Sequence, residues 1–200
     1  MSKSAFSPLP FLSLEEPISY FRPRQELPVR VNFASPAVDC MTDLRQVAAV
    51  AVGMERTVDE ALNRMRKRGV RLLLVTDDDA TVYGLITARD IQGEKPIKLA
   101  QKLGDKPGQL LVRDLMTLQG RLEVLDYQSV LKARVGDIIA TLKDAGRQHA
   151  LVVDRDPQAD DHLALRGIFS MSQIGRQLGL PLDTAERATT FAELEAALKA

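Results

Sequence analysis

The stretch Gly84-Leu85-Ile86-Thr87-Ala88-Arg89-Asp90-Ile91 decides how this chain is read. It predicts a strand that ends at Thr87 and hands over directly to a helix beginning at Ala88. At a helix start the backbone N–H groups lack partners and carry positive partial charge, which favours an anion such as a phosphate. Asp90, three residues after Thr87, falls in the first helical turn. A carboxylate there can accept two hydrogen bonds from a vicinal diol such as that of a ribose. Thr87 can hydrogen-bond sugar or phosphate oxygens, and Arg89 can meet a charged phosphate. The same Thr87–Asp90 spacing is also that of a capping box. The two readings are compatible, because one aspartate can cap the helix while the site is empty.

The segments around this stretch predict a repeating unit. Val47 to Met54 is an apolar run of strand length. Thr57 is placed as an N-cap, with Glu60 completing a capping box. Val58, Ala61, Leu62 and Met65 follow at helical spacing, and Gly69 is placed to end that helix. Val70 to Val75 reads as a buried strand, Asp77-Asp78-Asp79 as a turn, and Thr81 to Ile86 as a second strand. The order then recurs. Val135, Ile138, Ile139, Leu142 and Ala145 form a second helical stripe closed by Gly146. Ala150 to Val153 is a strand, Arg155 to His162 a polar loop, Leu163 to Ser170 a strand, and Met171 opens a helix. Met41-Thr42 corresponds to Met116-Thr117, and Gly84 to Gly167. Each unit is therefore strand–helix–strand–strand–helix, an α/β design. A unit of that size is marginal alone, so the two are expected to bury their faces against each other as a pseudo-twofold pair.

The pattern G-h-h-T-x-x-D, closing a repeat that opened with Met-Thr, resembles the CBS domain, named for cystathionine β-synthase. The resemblance covers roughly residues 38 to 180. It implies a compact pair of β-α-β-β-α repeats that often dimerises, with AMP, ADP, ATP or S-adenosylmethionine bound in clefts between repeats. By that resemblance Thr87 and Asp90 would hold the ribose, and the adenine would lie against Ala51, Val52 and the Val70 to Leu72 segment. Basic residues at the start of the middle strand would reach phosphates of the opposite repeat. This points to Arg71 in the first copy and to Gln148-His149 in the second. The second copy departs from the pattern, with Ser170 at the threonine position and Gln173 at the aspartate position. Glutamine is longer and uncharged. One competent site at the first motif and a degenerate second one are expected.

The implied role is a stand-alone regulatory module that senses an adenine nucleotide and signals to a partner protein, with a homodimer as its assembly. The alternative is a ligand-free CBS-pair module for dimerisation or assembly. No catalytic constellation, metal cluster or Gly-rich phosphate loop stands out, so neither an enzyme nor a required cofactor is expected. Lys and Arg number 27, as do Asp and Glu. Without a basic excess, nucleic acid is not an expected partner. The sequence lacks an apolar run of membrane-spanning length, and the sole cysteine, Cys40, reads as a small apolar residue. A cytoplasmic location follows as the expectation.

Around the repeats (37–95 and 113–180) lie three further segments. Residues 1–36 hold Pro8, Pro10, Pro17, Pro23, Pro28 and Pro36 among the chain's 10 prolines, and predict an extended arm. Phe6, Phe11, Tyr20, Phe21 and Phe33 suggest that the arm docks. Residues 96–112 are expected as a linker. In the tail 181–200, Phe191, Leu194 and Leu198 have the spacing of an amphipathic helix.

Overall fold

The computed structural model of the chain describes residues 11–12, 23–104 and 106–180. The predicted C-terminal helix, and Phe6, Tyr20 and Phe21 of the arm, lie outside the described residues. The first repeat opens with β1 (Thr42–Asp43) and β2 (Ala51–Val52), followed by α1 (Val58–Arg68), β3 (Leu72–Thr76), β4 (Val82–Thr87) and α2 (Ala88–Gln92). A helix α3 (Glu94–Leu103) and a helical turn α4 (Val112–Leu115) lead to the second repeat. That repeat comprises β5 (Thr117–Leu118), β6 (Val124–Asp126), a turn α5 (Tyr127–Val130), α6 (Val135–Asp144), β7 (His149–Asp156), β8 (His162–Ser170) and α7 (Met171–Leu178).

Local chemistry sets the boundaries of α1. Thr57 Oγ1 accepts from the Glu60 N–H at 3.2 Å, and the Glu60 carboxylate accepts from the Thr57 N–H at 2.8 Å. Val58, Ala61 and Met65 form its buried stripe, and Gly69 at φ +65° turns the chain out of the helix. Gly146, at φ +62°, does the same after α6. Asp77 closes the turn between β3 and β4 by accepting from the N–H groups of Asp79 and Thr81.

The strands form two four-stranded sheets, ordered β2-β3-β4-β5 and β1-β8-β7-β6. In both, the inner pair is an antiparallel hairpin, Leu72 opposite Thr87 and His149 opposite Ser170. Each sheet takes an outer strand from the opening of the other repeat. Thr42 pairs with Ile168, and Thr117 pairs with Leu85. The two Met-Thr openings are therefore exchanged. Met41 is buried in the core of the second repeat among Ile138, Val152 and Phe169, and Met116 in that of the first among Met65, Val75 and Ile86. A third cluster, Leu72, Leu74 and Leu151, joins the sheets face to face with Leu85, Leu122 and Ile168 against it. The fold is the expected mixed α/β pair, with an interlock in addition.

Several local details differ from the sequence reading. Of the apolar run Val47 to Met54, only Ala51–Val52 joins a ladder. The stretch expected as a linker, 96–112, takes in most of α3, whose buried Ala100 packs with Leu110 on the core of the first repeat. Between β6 and α6 the second repeat inserts the turn α5, capped by Asp126, whose side chain accepts from the Ser129 N–H. In the arm, Val31 and Phe33 pack on the core of the second repeat, whereas Phe11 is fully exposed. Cys40 is buried, and its thiol is pushed up to about 11 by burial and then by the Asp39 charge, as befits a packing residue.

Candidate functional site

A cavity of about 620 Å³ lies where the two hairpins meet. Its walls come from the start of β3, the β4–α2 junction, residues 121–123 ahead of β6, the turn after α6, and the β8–α7 junction. The floor is apolar: Leu72, Leu85, Leu122 and Leu151. Both motif ends reach it, Thr87 and Asp90 from the first repeat and Ser170 from the second. Thr87 and Ser170 are the last residues of β4 and β8, opposite the first residues of β3 and β7, so each motif sits at the end of its hairpin, and the two ends meet at this cavity.

At the first end, Thr87 and Asp90 form a closed capping box. The Thr87 N–H donates to Asp90 Oδ2 at 2.8 Å, the Thr87 hydroxyl to the same oxygen at 2.6 Å, and the Asp90 N–H to Thr87 Oγ1 at 3.3 Å. All of these bonds to the carboxylate fall on Oδ2. Both residues are half-buried and line the cavity, beside an exposed Arg89. Thr87 and Asp90 thus cap α2, as the capping reading expects, while lining the cavity.

The second end is different. Ser170 caps no backbone N–H; its hydroxyl and that of Ser172 are hydrogen-bonded at 2.9 Å, and both residues line the cavity. Gln173 does not line it. Its Oε1 accepts from Arg176 Nη2 at 2.7 Å, one turn along α7. The glutamine at this position is satisfied on its own helix.

His149 stands in the wall opposite Ser170, in the position that Leu72 holds in the first repeat. Burial, and then the nearby Arg71 charge, press its imidazole down to about 4, so it is neutral near pH 7. Arg71 and Leu72 also line the cavity. Ala51, Val52 and Val70 do not. Val52 lies in the core of the first repeat with Val70 against it, and Ala51 packs beneath the Leu72–Leu151 contact. Sequence reading did not single out Arg121, Leu122, Glu123, Leu151 and Ser172, all of which face the cavity. They belong to no motif, and only the docking of the hairpins gathers them. Arg147 Nη2 and the Glu123 carboxylate form an ion pair across this wall at 2.5 Å. Among the described residues no group of three or more His, Cys, Asp or Glu gathers as a metal site, and no helix is long and apolar enough to cross a membrane.

Residues 38–94, the first repeat, match the CBS domain family. Among solved structures, an uncharacterised conserved protein from Pyrococcus horikoshii aligns with a TM-score of 0.53 at 21% identity, over 77% of this chain and 99% of that one. A CBS-domain-containing protein from Agrobacterium tumefaciens aligns with a TM-score of 0.51 at 20% identity, over 72% of this chain and 94% of its own. No curated protein matches the sequence. The first repeat is a CBS domain, and the chain as a whole has the fold of a tandem CBS-domain pair protein.

Proposed function

We propose that the chain is a regulatory module that binds one adenine nucleotide between its repeats and passes its occupancy to a protein partner, as a homodimer and without catalysis of its own. The observation that carries this reading is the convergence of Thr87 and Asp90 on a cavity large enough for a nucleotide, with an apolar floor and charged walls. A concave apolar site with a few convergent polar groups is the usual form of a small-molecule site. In the proposed pose the ribose diol takes the Asp90 carboxylate, opening the Thr87 hydroxyl for a sugar or phosphate oxygen. The base rests on Leu72, Leu85, Leu122 and Leu151, and the phosphates extend toward Arg71 and His149. Only the first motif holds a ribose, because Gln173 is engaged with Arg176. Because both hairpins line the cavity, a ligand that fits one arrangement of the pair better than another shifts the population toward it.

Thermal unfolding with saturating AMP, ADP, ATP, S-adenosylmethionine and NAD tests the proposal. A ligand of the native state raises the midpoint by mass action. A rise with at least one adenine compound, lost in Asp90→Ala, is expected. If none raises the midpoint, the reading falls and the pair is an assembly module.

A further inference from the structure

We infer that the cavity selects a polyanionic ligand, a nucleoside di- or triphosphate, over a neutral nucleoside or a cationic sulfonium nucleoside. This rests on the reading of the cavity as a nucleotide site and narrows the class of ligand. Four arginines line the wall, Arg71, Arg89, Arg121 and Arg147, against two carboxylates, Asp90 and Glu123. Over the whole chain, acidic and basic residues balance at 27 each. The cationic excess is therefore local to this wall. Glu123 is already paired with Arg147, and Asp90 is held in the capping box with Thr87. Arg89 and Arg121 have no acidic partner among the described residues.

The distribution of these charges adds to the argument. The arginines stand on four separate segments: the start of β3, the first turn of α2, the turn before β6, and the turn after α6. A single phosphate presents its oxygens at one point and cannot meet guanidinium groups spread around a wall. A chain of phosphates can, with charge-assisted hydrogen bonds to several. Like charges gathered along one wall repel one another, and a polyanion relieves that repulsion. A sulfonium cation adds to it, and an uncharged nucleoside leaves it as it was.

The test is calorimetric titration of the full chain with adenosine, AMP, ADP, ATP, GTP, S-adenosylmethionine and tripolyphosphate, at low and high salt. The expected affinity order is ATP above ADP, AMP and adenosine, with S-adenosylmethionine weakest. High salt should narrow the gap between ATP and adenosine. Arg121→Gln and Arg89→Gln, both on exposed side chains, should each weaken ATP by roughly threefold to tenfold and leave adenosine unchanged. Adenosine or S-adenosylmethionine binding as tightly as ATP overturns the inference while leaving the adenine site standing. GTP or tripolyphosphate binding as well as ATP, with adenosine inert, upholds the charge selection and overturns the adenine reading. Binding by none of the probes overturns both.

Discussion

The carboxylate of Asp43, in the opening strand of the first repeat, is ion-paired with the guanidinium of Arg166, 123 residues away on β8 of the second. The two side chains are only 9% and 11% exposed. Arg166 also lies over the Tyr127 ring at 4.6 Å, and its Nε, 3.9 Å from Asp154 Oδ2, lacks a hydrogen-bond partner. Gln25 of the arm clamps the same strand, donating to the Met41 carbonyl and accepting from the Asp43 N–H. Removing one partner of such a pair strands the other charge. Asp43→Ala is expected to lower the unfolding free energy by about 3 kcal/mol or more, read by urea denaturation at pH 7. A loss below roughly 1 kcal/mol would place the pair among weak surface bridges.

Two glycines in equivalent strands differ in what surrounds them. A Cβ at Gly84 would run into the Thr117 carbonyl, which is backbone of the borrowed strand β5. A Cβ at Gly167 would meet the side chain of Met41, from Cγ to the terminal methyl. Backbone cannot yield without breaking the ladder, whereas a methionine side chain can turn. Gly84→Ala should therefore be the more damaging, by about 1–3 kcal/mol on its own. Comparing the two thermal midpoints checks the order.

Acid should weaken the fold in two stages. The imidazole of His149 is held down to about 4, below its ordinary 6.5, by burial and by Arg71. Above pH 6.5 it is neutral both folded and unfolded. As pH falls from 6.5 toward 4, the unfolded chain takes up a proton that the fold refuses, so stability drops by at most about 3 kcal/mol. The Asp43 carboxyl is raised by burial, but bonds from the Arg45 N–H, Arg166 and Gln46 outweigh this and set it below its ordinary 3.8. Its contribution is full above that value and fades only as pH falls below it. His149→Leu, which installs the residue found at the matching position of β3, should flatten the first stage alone. Chemical denaturation as a function of pH reads both.

Gln177 fastens the arm. The residue is 3% exposed, and its Nε2 donates at 2.8 Å to the carbonyls of both Pro28 and Asp39. Gln177→Ala leaves both carbonyls without that donor and should destabilise by about 1–3 kcal/mol. Limited proteolysis should then cut within residues 23–36 faster than in the parent protein.

The architecture was readable because it is written in local, repeated signals: Gly69 with Gly146, the Thr57 cap, and strand runs of matching length. The exchange of β1 and β5 was not readable, since two-residue strands carry no periodicity. Nor was α3, where Gly93, Pro96 and Gly104 suggested a connection. Pro96 falls in the first turn of that helix, where its missing N–H has no partner to lose, and Gly104 at φ +76° ends it. For the site, Thr87, Asp90, Arg71 and His149 could be picked from motif and strand starts. Arg121, Glu123 and Ser172 meet them only through the packing of one repeat on the other. That Gln173 folds back on Arg176 is a side-chain choice that the residue type alone does not dictate.

The most direct test of the account is the stoichiometry of ATP binding, measured by calorimetry on the parent protein, Asp90→Ala and Gln173→Ala. The account predicts one ATP per chain, binding lost or weakened at least roughly tenfold in Asp90→Ala, and no change in Gln173→Ala. Two ATP per chain, or an affinity indifferent to Asp90, would contradict it.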